Sequence, residues 1–172
     1  MTRMDDIFAE RARVLAEPEE RAALHGRTLD LVAFEAGSQK VAIEAQYVHA
    51  VVGRAGSTPV PGAPDILVGV INFRGSILPV FDISRALGGT GAMDGDCTIV
   101  LGEHGPEFAF VANAVEEVSG VEAAQLHAAL QTENGTMPPS LGVTRSALNV
   151  LDGRALLADR KFYVGGRSAG HT

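Results

Sequence analysis

Residues 31–51 and 98–118 follow one apolar pattern at a constant spacing of 67. Val32 matches Ile99, Phe34 matches Leu101, and Val41-Ala42-Ile43 matches Phe108-Ala109-Phe110. Ala45 matches Ala112, Val48 matches Val115, and Val51 matches Val118. Farther on, Leu78-Pro79-Val80-Phe81-Asp82 matches Leu148-Asn149-Val150-Leu151-Asp152 at a spacing of 70. The three extra residues are expected in the loop at 132–139, where a length change costs little. The chain therefore reads as one β-rich plan used twice, each copy about 65 to 70 residues with about five short strands. That number suits a small closed barrel, because closure removes exposed strand edges. So small a unit buries little core alone, so the two copies should share an interface.

The local pattern agrees. Residues 29–36 and 40–45 form a hairpin around the turn Gly37-Ser38-Gln39, and Tyr47, Val48, Val51 and Val52 mark a third element. Pro59, Pro61 and Pro64 give a stiff entry to the run 67–73. That run turns at Arg74-Gly75 and leaves through 77–81. The stretch 66–73 is almost wholly apolar, which predicts a strand covered on both faces. Asp82 before Ile-Ser-Arg-Ala and Asp152 before Gly-Arg-Ala-Leu-Leu are placed to cap short helices by accepting from free backbone N–H groups. Residues 88–96 read as an exposed linker. His127 falls in a stretch, 120–130, that reads as helical.

The first 27 residues differ from the rest. Met4, Ile7, Phe8, Arg11, Val14 and Leu15 recur at helical spacing, which predicts a helix over 4–16. Pro18 opens and Gly26 closes a second over 18–25. The division expected is a helical N-terminal extension at 1–27, a main body at 28–165, and a disordered tail at 166–172. Within the body, the first barrel covers about 29–88 plus closing strands from the chain ends, and the second about 96–155.

Composition narrows the function classes. With 46% apolar and 20% charged residues, the chain is globular and not disordered. A net charge of -7 without a basic cluster disfavours nucleic acid and acidic membrane surfaces. The single cysteine, Cys97, excludes a disulfide framework and a thiolate cage; it reads as a half-buried strand residue. No apolar run approaches the roughly 20 residues of a membrane helix, and the N-terminus lacks signal-peptide character, so a cytoplasmic chain without direct membrane insertion is expected. The five histidines stand apart at 25, 49, 104, 127 and 171, without metal-ligand spacing, and strand alternation points His49 outward. The Gly-rich linker lacks the Gly-Lys-Ser/Thr end of a phosphate loop. No nucleophile–base pair, metal site or cofactor site is predicted, which favours binding over catalysis.

The stretch VPGAPDILVGVINFRGSILPVFDISRALG resembles the CheW-like adaptor domain of bacterial chemosensory arrays. The resemblance rests on Thr58, Val60, Pro61, Ala63, Pro64, Gly69-Val70-Ile71-Asn72, Arg74-Gly75, Leu78-Pro79-Val80 and Asp82, and it covers about residues 29–165. It implies a mainly β fold of two similar five-stranded SH3-like β-barrels packed together, with short helices. It further implies a non-catalytic adaptor that couples chemoreceptors to the histidine kinase CheA. The partners implied are the kinase regulatory domain and the cytoplasmic tips of receptors, with recruitment to receptor arrays. Arg74, with Asn72, Phe73 and Gly75, becomes the candidate coupling site, and His49, Val51 and Val52 become candidate groove residues. An arginine ringed by apolar residues also has the composition of a binding hot spot. Two positions depart from the family pattern: Phe73 stands where leucine is usual, and Ala50 where many members have an acidic residue. An alternative reading is a variant adaptor that fills an array and uses its N-terminal helices to dock another signalling protein.

Overall fold

β-Branched and aromatic residues carry the chain into strands broken by Gly- and Pro-containing turns. The computed structural model describes residues 26–89, 94–128 and 138–162. The described strands are β1 (Thr28–Ala36), β2 (Gln39–Glu44), β3 (Val48–Gly53), β4 (Leu67–Phe73), β5 (Ser76–Phe81), β6 (Cys97–Leu101), β7 (Phe108–Glu122), β8 (Ser140–Val143) and β9 (Asn149–Leu151). Two short helices, α1 (Ile83–Ala86) and α2 (Gly153–Ala158), follow β5 and β9. The fold is mainly β, as expected. Both predicted leader helices and the tail lie outside the described residues.

The repeat is visible in the pairing. Hairpin β1–β2 places Val32 opposite Ile43, and β6–β7 places the matching Ile99 opposite Phe110. The parallel pair Ala42–Val150 of β2 and β9 has its counterpart in Ala109–Val80 of β7 and β5. Thr58 bridges to Val70, and His127 bridges to Val143. The Asp82 N–H bonds the Ile66 carbonyl at 2.8 Å, and the Asp152 N–H bonds the Pro139 carbonyl at 2.9 Å.

The strands do not pair along the expected division of 29–88 and 96–155. One sheet joins β1 and β2 to the second half of β7 and to β9 and β8. The other joins β3, β4 and β5 to β6 and the first half of β7. Each copy thus gives its opening hairpin to the sheet completed by the other. The physical reason lies in β7, which crosses both sheets in 15 residues. Its bend comes at Ala114, with φ of +47°, where the register against β1 slips between Ala33 and Glu35. An extra residue there bends the strand and increases its twist. The copy-one counterpart of this join is a 3-10 turn, Ala45–Tyr47.

The spacing between copies also varies more than the sequence pattern indicates. It is larger at Gly69 and Gly142 than at Thr58 and His127, so the second copy is longer before β8. It then shrinks again, because Val143 pairs with Asn149 across a tighter turn than that between Val70 and Pro79.

Among the described residues, the core has three apolar clusters. The largest takes Val32, Phe34, Val41 and Ile43 from one sheet and Phe81, Ile99, Leu101, Phe108 and Phe110 from the other, and so forms the shared interface. Phe162 completes it, stacked on Phe108 at 5.3 Å and edge-on to Phe81 at 5.1 Å. The second cluster, with Leu31, Ala33, Ala42 and Val150, is internal to the first sheet. The third, with Ile71, Phe73, Leu78, Val80, Val100 and Ala109, is internal to the second. Strands β2, β6 and the start of β7 are covered on both faces, because adjacent residues such as Val41 and Ala42, Ile99 and Val100, and Phe108 and Ala109 are buried in different clusters. Strand β4 is not, contrary to the expectation from its apolar run. It lies at a sheet edge, burying Leu67, Gly69, Ile71 and Phe73 while Val68 and Val70 stay half-buried and Asn72 is exposed.

The helical reading of 120–130 is likewise corrected over its described part. Strand β7 continues through Glu122, a 3-10 turn covers Ala123–Gln125, and His127 makes its bridge beyond. Pairing of Thr28 with Glu122 and Leu29 with Val121 holds this stretch extended, overriding its helical propensity.

Candidate interaction surface

The hairpin between β4 and β5 is closed by two residues, Arg74 and Gly75, between the pair Phe73 and Ser76. Both have positive φ, +50° and +87°. Two successive left-handed residues make the type I′ turn that matches strand twist. Glycine adopts that geometry freely, whereas arginine does so at a cost. Local bonds offset it. The Gly75 N–H donates to Asn72 Oδ1 at 3.0 Å. The Arg74 guanidinium carbon lies 5.0 Å from the Phe73 ring centroid. Such a cation–π contact at the surface is worth about 0.5–1 kcal/mol. Phe73 itself is buried, so the ring anchors the cation to the core. Asn72, Phe73, Arg74 and Gly75 therefore act as one unit: Phe73 roots it, Asn72 locks it, and Arg74 presents its charge to solvent.

Ile77 pairs with Asn72 across the hairpin and is 65% exposed. It adds an apolar group next to the cation. The sequence held the signal: with Leu78 and Val80 inward, alternation sends Ile77 outward.

His49 and Val51 lie elsewhere, on one wall of an open groove between the two sheets, with a cavity volume of about 500 Å³. Strand β3 supplies Val48, His49, Ala50 and Val51 to this wall. The opposite wall is Val115, Glu116 and Glu117 of β7, and Val32 and Ala45 complete the lining. His49 is exposed, and Val51 is 45% exposed. Val52 does not line the groove; it packs with Ala50 against the cluster that holds Phe73. The structure thus brings His49 and Val51 together in the groove and the four hairpin residues together at the turn, as two separate patches.

Glu116 and Glu117 were missed by sequence reasoning, although the spacing of 67 identifies them as the counterparts of His49 and Ala50. The same segment of each copy therefore forms one wall each. Val48 on one wall matches Val115 on the other, and the walls differ in charge, with a histidine and an alanine facing two exposed glutamates.

Both helix-start aspartates make capping bonds. Asp82 Oδ1 accepts from Ser84 N at 3.0 Å and Arg85 N at 3.4 Å, while Oδ2 meets Arg85 Nε at 3.5 Å. Asp152 Oδ1 accepts from Ala155 N at 3.0 Å. Next to Asp152 lies Glu44, only 9% exposed. Burial pushes its carboxyl above the usual 4.5, and the nearby Asp152 charge adds to this; bonds from Gly153 N–H and the Gln46 amide oppose it. The half-buried Cys97 thiol is raised by burial and then by Asp96, and it donates to the Ala112 carbonyl at 3.1 Å. Its chemistry is therefore muted. Among the described residues, no group of His, Cys, Asp and Glu is placed to hold a metal ion. None of the described helices is long and apolar enough to cross a membrane.

Two interleaved sheets, a rooted cationic hairpin and an open groove between the sheets define a mainly β module with two exposed patches. Residues 30–161 match the family model described as the CheW-like domain, so the chain belongs to the CheW-like family. It is 41% identical over 59 residues to "Chemotaxis protein CheW" of Rhizobium meliloti (strain 1021), a match covering 34% of this chain and 38% of that protein. It is 32% identical over 62 residues to "Chemotaxis protein CheW" of Thermotoga maritima, covering 36% of this chain and 41% of that one. The matched stretches thus span about two fifths of these relatives' lengths. A solved structure, the scaffolding protein TtCheW from Thermoanaerobacter tengcongensis, superposes with a TM-score of 0.61 at 21% identity, covering 73% of this chain and 88% of that one. That likeness is one of fold.

Proposed function

We propose that this chain is a non-catalytic adaptor that couples chemoreceptors to a CheA-type histidine kinase. The observation that carries this reading is the Arg74 hairpin within a CheW-like domain: a positive-φ arginine held over a buried Phe73 ring, with the exposed Ile77 beside it. A preorganised guanidinium next to exposed apolar surface is the composition of a protein-binding hot spot. In this reading Arg74 contacts the signalling partner, Asn72 and Gly75 shape its turn, and the buried Phe73 anchors it. The groove containing His49 and Val51 receives the receptor tip, and Val52 supports its β3 wall from behind. The family's acidic residue is absent at Ala50, and Glu117 supplies a carboxylate from the opposite wall. The relatives' names, a chemotaxis protein and a scaffolding protein, support the adaptor class. The chain then works in the cytoplasm, recruited to receptor arrays.

Titration against the kinase regulatory domain and against a receptor cytoplasmic fragment tests the proposal. Binding with Kd of about 1–100 µM, usual for transient signalling contacts, is expected for both. Absence of binding to either at several hundred micromolar would overturn it.

A further inference from the structure

We propose that the groove between the sheets is occupied in cis by the chain's own leader, residues 4–15. Three observations converge on this occupant. The groove has valines on both walls and an unbalanced charge, since Glu116 and Glu117 are both exposed on the β7 side. Placed at helical periodicity, Met4, Ile7, Phe8, Val14 and Leu15 form one apolar stripe, and Arg11 falls in the middle of it. Asp5, Asp6 and Glu10 fall off that stripe. An apolar face with one central cation complements valine walls with a carboxylate edge.

The attachment point supplies the third observation. The leader joins the body at β1, where Thr28 pairs with Glu122 of β7. Farther along the same two strands, Val32 pairs with Glu117, and both line the groove. The distance from Glu122 to Glu117 along β7 is about 17 Å at ~3.4 Å per residue. The chain from Leu15 to Thr28 spans that distance even if wholly helical, at ~1.5 Å per residue or about 20 Å. A tether of this length sets an effective concentration in the millimolar range, so a weak stripe suffices to fill the groove. The inference stands on the groove and the leader, and holds whether or not the adaptor reading does. If both hold, the leader competes with whatever partner enters the groove.

Proximity-driven disulfide formation in the full-length chain tests it. In a Cys97→Ser background, Phe8→Cys is combined with His49→Cys in the groove or, as a control, with the exposed Ile77→Cys outside it. Under mild oxidation in dilute protein, the groove pair is expected to close within one chain at least tenfold faster than the control. Arg11→Glu should slow the groove pair several-fold, and adding Glu117→Lys should restore it. Equal rates for the two pairs would overturn the proposal, leaving the groove open for a separate partner. Insensitivity to the charge reversal, or bonds formed only between two chains, would also overturn it, the latter in favour of a second copy as the occupant.

Discussion

Gly69 and Gly142 hold the same place in the two sheets, each pressed against the backbone of a bridging segment. A Cβ on Gly69 would lie 2.5 Å from the Thr58 carbonyl oxygen, and one on Gly142 would lie 2.6 Å from that of His127. Each glycine also sits at a register shift, between Leu67 and Gly69 in one hairpin and between Ser140 and Gly142 in the other. The repeated unit is thus reproduced down to a backbone contact that only glycine permits.

Gly69→Ala and Gly142→Ala are both expected to destabilise the fold. The clash at Gly69 should cost about 1–3 kcal/mol. Gly142 should cost more, because its φ of +145° adds backbone strain to the same clash. Thermal melts of the single variants check the order, with each kcal/mol lowering Tm by roughly 2–4 °C in a chain of this size.

The two caps should differ in weight. Asp82 accepts two backbone N–H bonds and pairs with Arg85, whereas Asp152 caps its helix through the Ala155 N–H. Asp152→Ala should cost about 1 kcal/mol, the usual value of a lost cap. Asp82→Ala should cost about 2 kcal/mol or more, since it also leaves buried donors unpaired. Urea midpoints at constant m-value measure both.

The buried Glu44 predicts a pH dependence. Its folded pKa lies above the ordinary 4.5, so folding favours the protonated form. The stability from this preference is complete below 4.5 and is lost as pH rises through the raised value. At pH 7 the fold carries a buried charge that Glu44→Gln removes while keeping an oxygen for the Gly153 N–H. The variant should therefore melt higher than the parent at neutral pH, and the difference should close near pH 4. Paired melts across that range check it.

The elements were largely legible in the sequence, and their partnership was not. The hairpins, the caps and the shared spacing follow from alternation and from Asp before short apolar runs. Which copy completes which sheet does not follow, because a repeat offers each hairpin two equivalent partners. The choice is made at one join: β7 runs through Ala114, while its counterpart turns at Ala45–Tyr47. Propensity misled at 120–130 for a related reason, since β1 pairs with that stretch from 90 residues away. At the surface, Arg74 stood out as a lone cation, whereas Glu116 and Glu117 looked like ordinary charge until the groove placed them opposite His49 and Ala50.

Arg74 occupies a backbone position that suits asparagine better. Asn-Gly is the favoured type I′ pair. Arg74→Asn should keep Tm within about 2 °C of the parent or raise it, since relief of strain offsets the lost cation–π contact. Binding to the kinase regulatory domain should weaken about tenfold or more, as for loss of a hot spot. Melts and titrations on the same preparation separate the two effects.

The most direct test of the adaptor account is kinase activity in a reconstituted mixture of receptor-bearing membranes, CheA-type kinase and this chain. The parent chain should raise receptor-dependent autophosphorylation of the kinase, and Arg74→Glu, folded with an unchanged melt, should abolish at least nine tenths of that rise, the effect of about 1.4 kcal/mol or more. Full coupling by a folded Arg74→Glu chain, or no rise with the parent, would contradict the account.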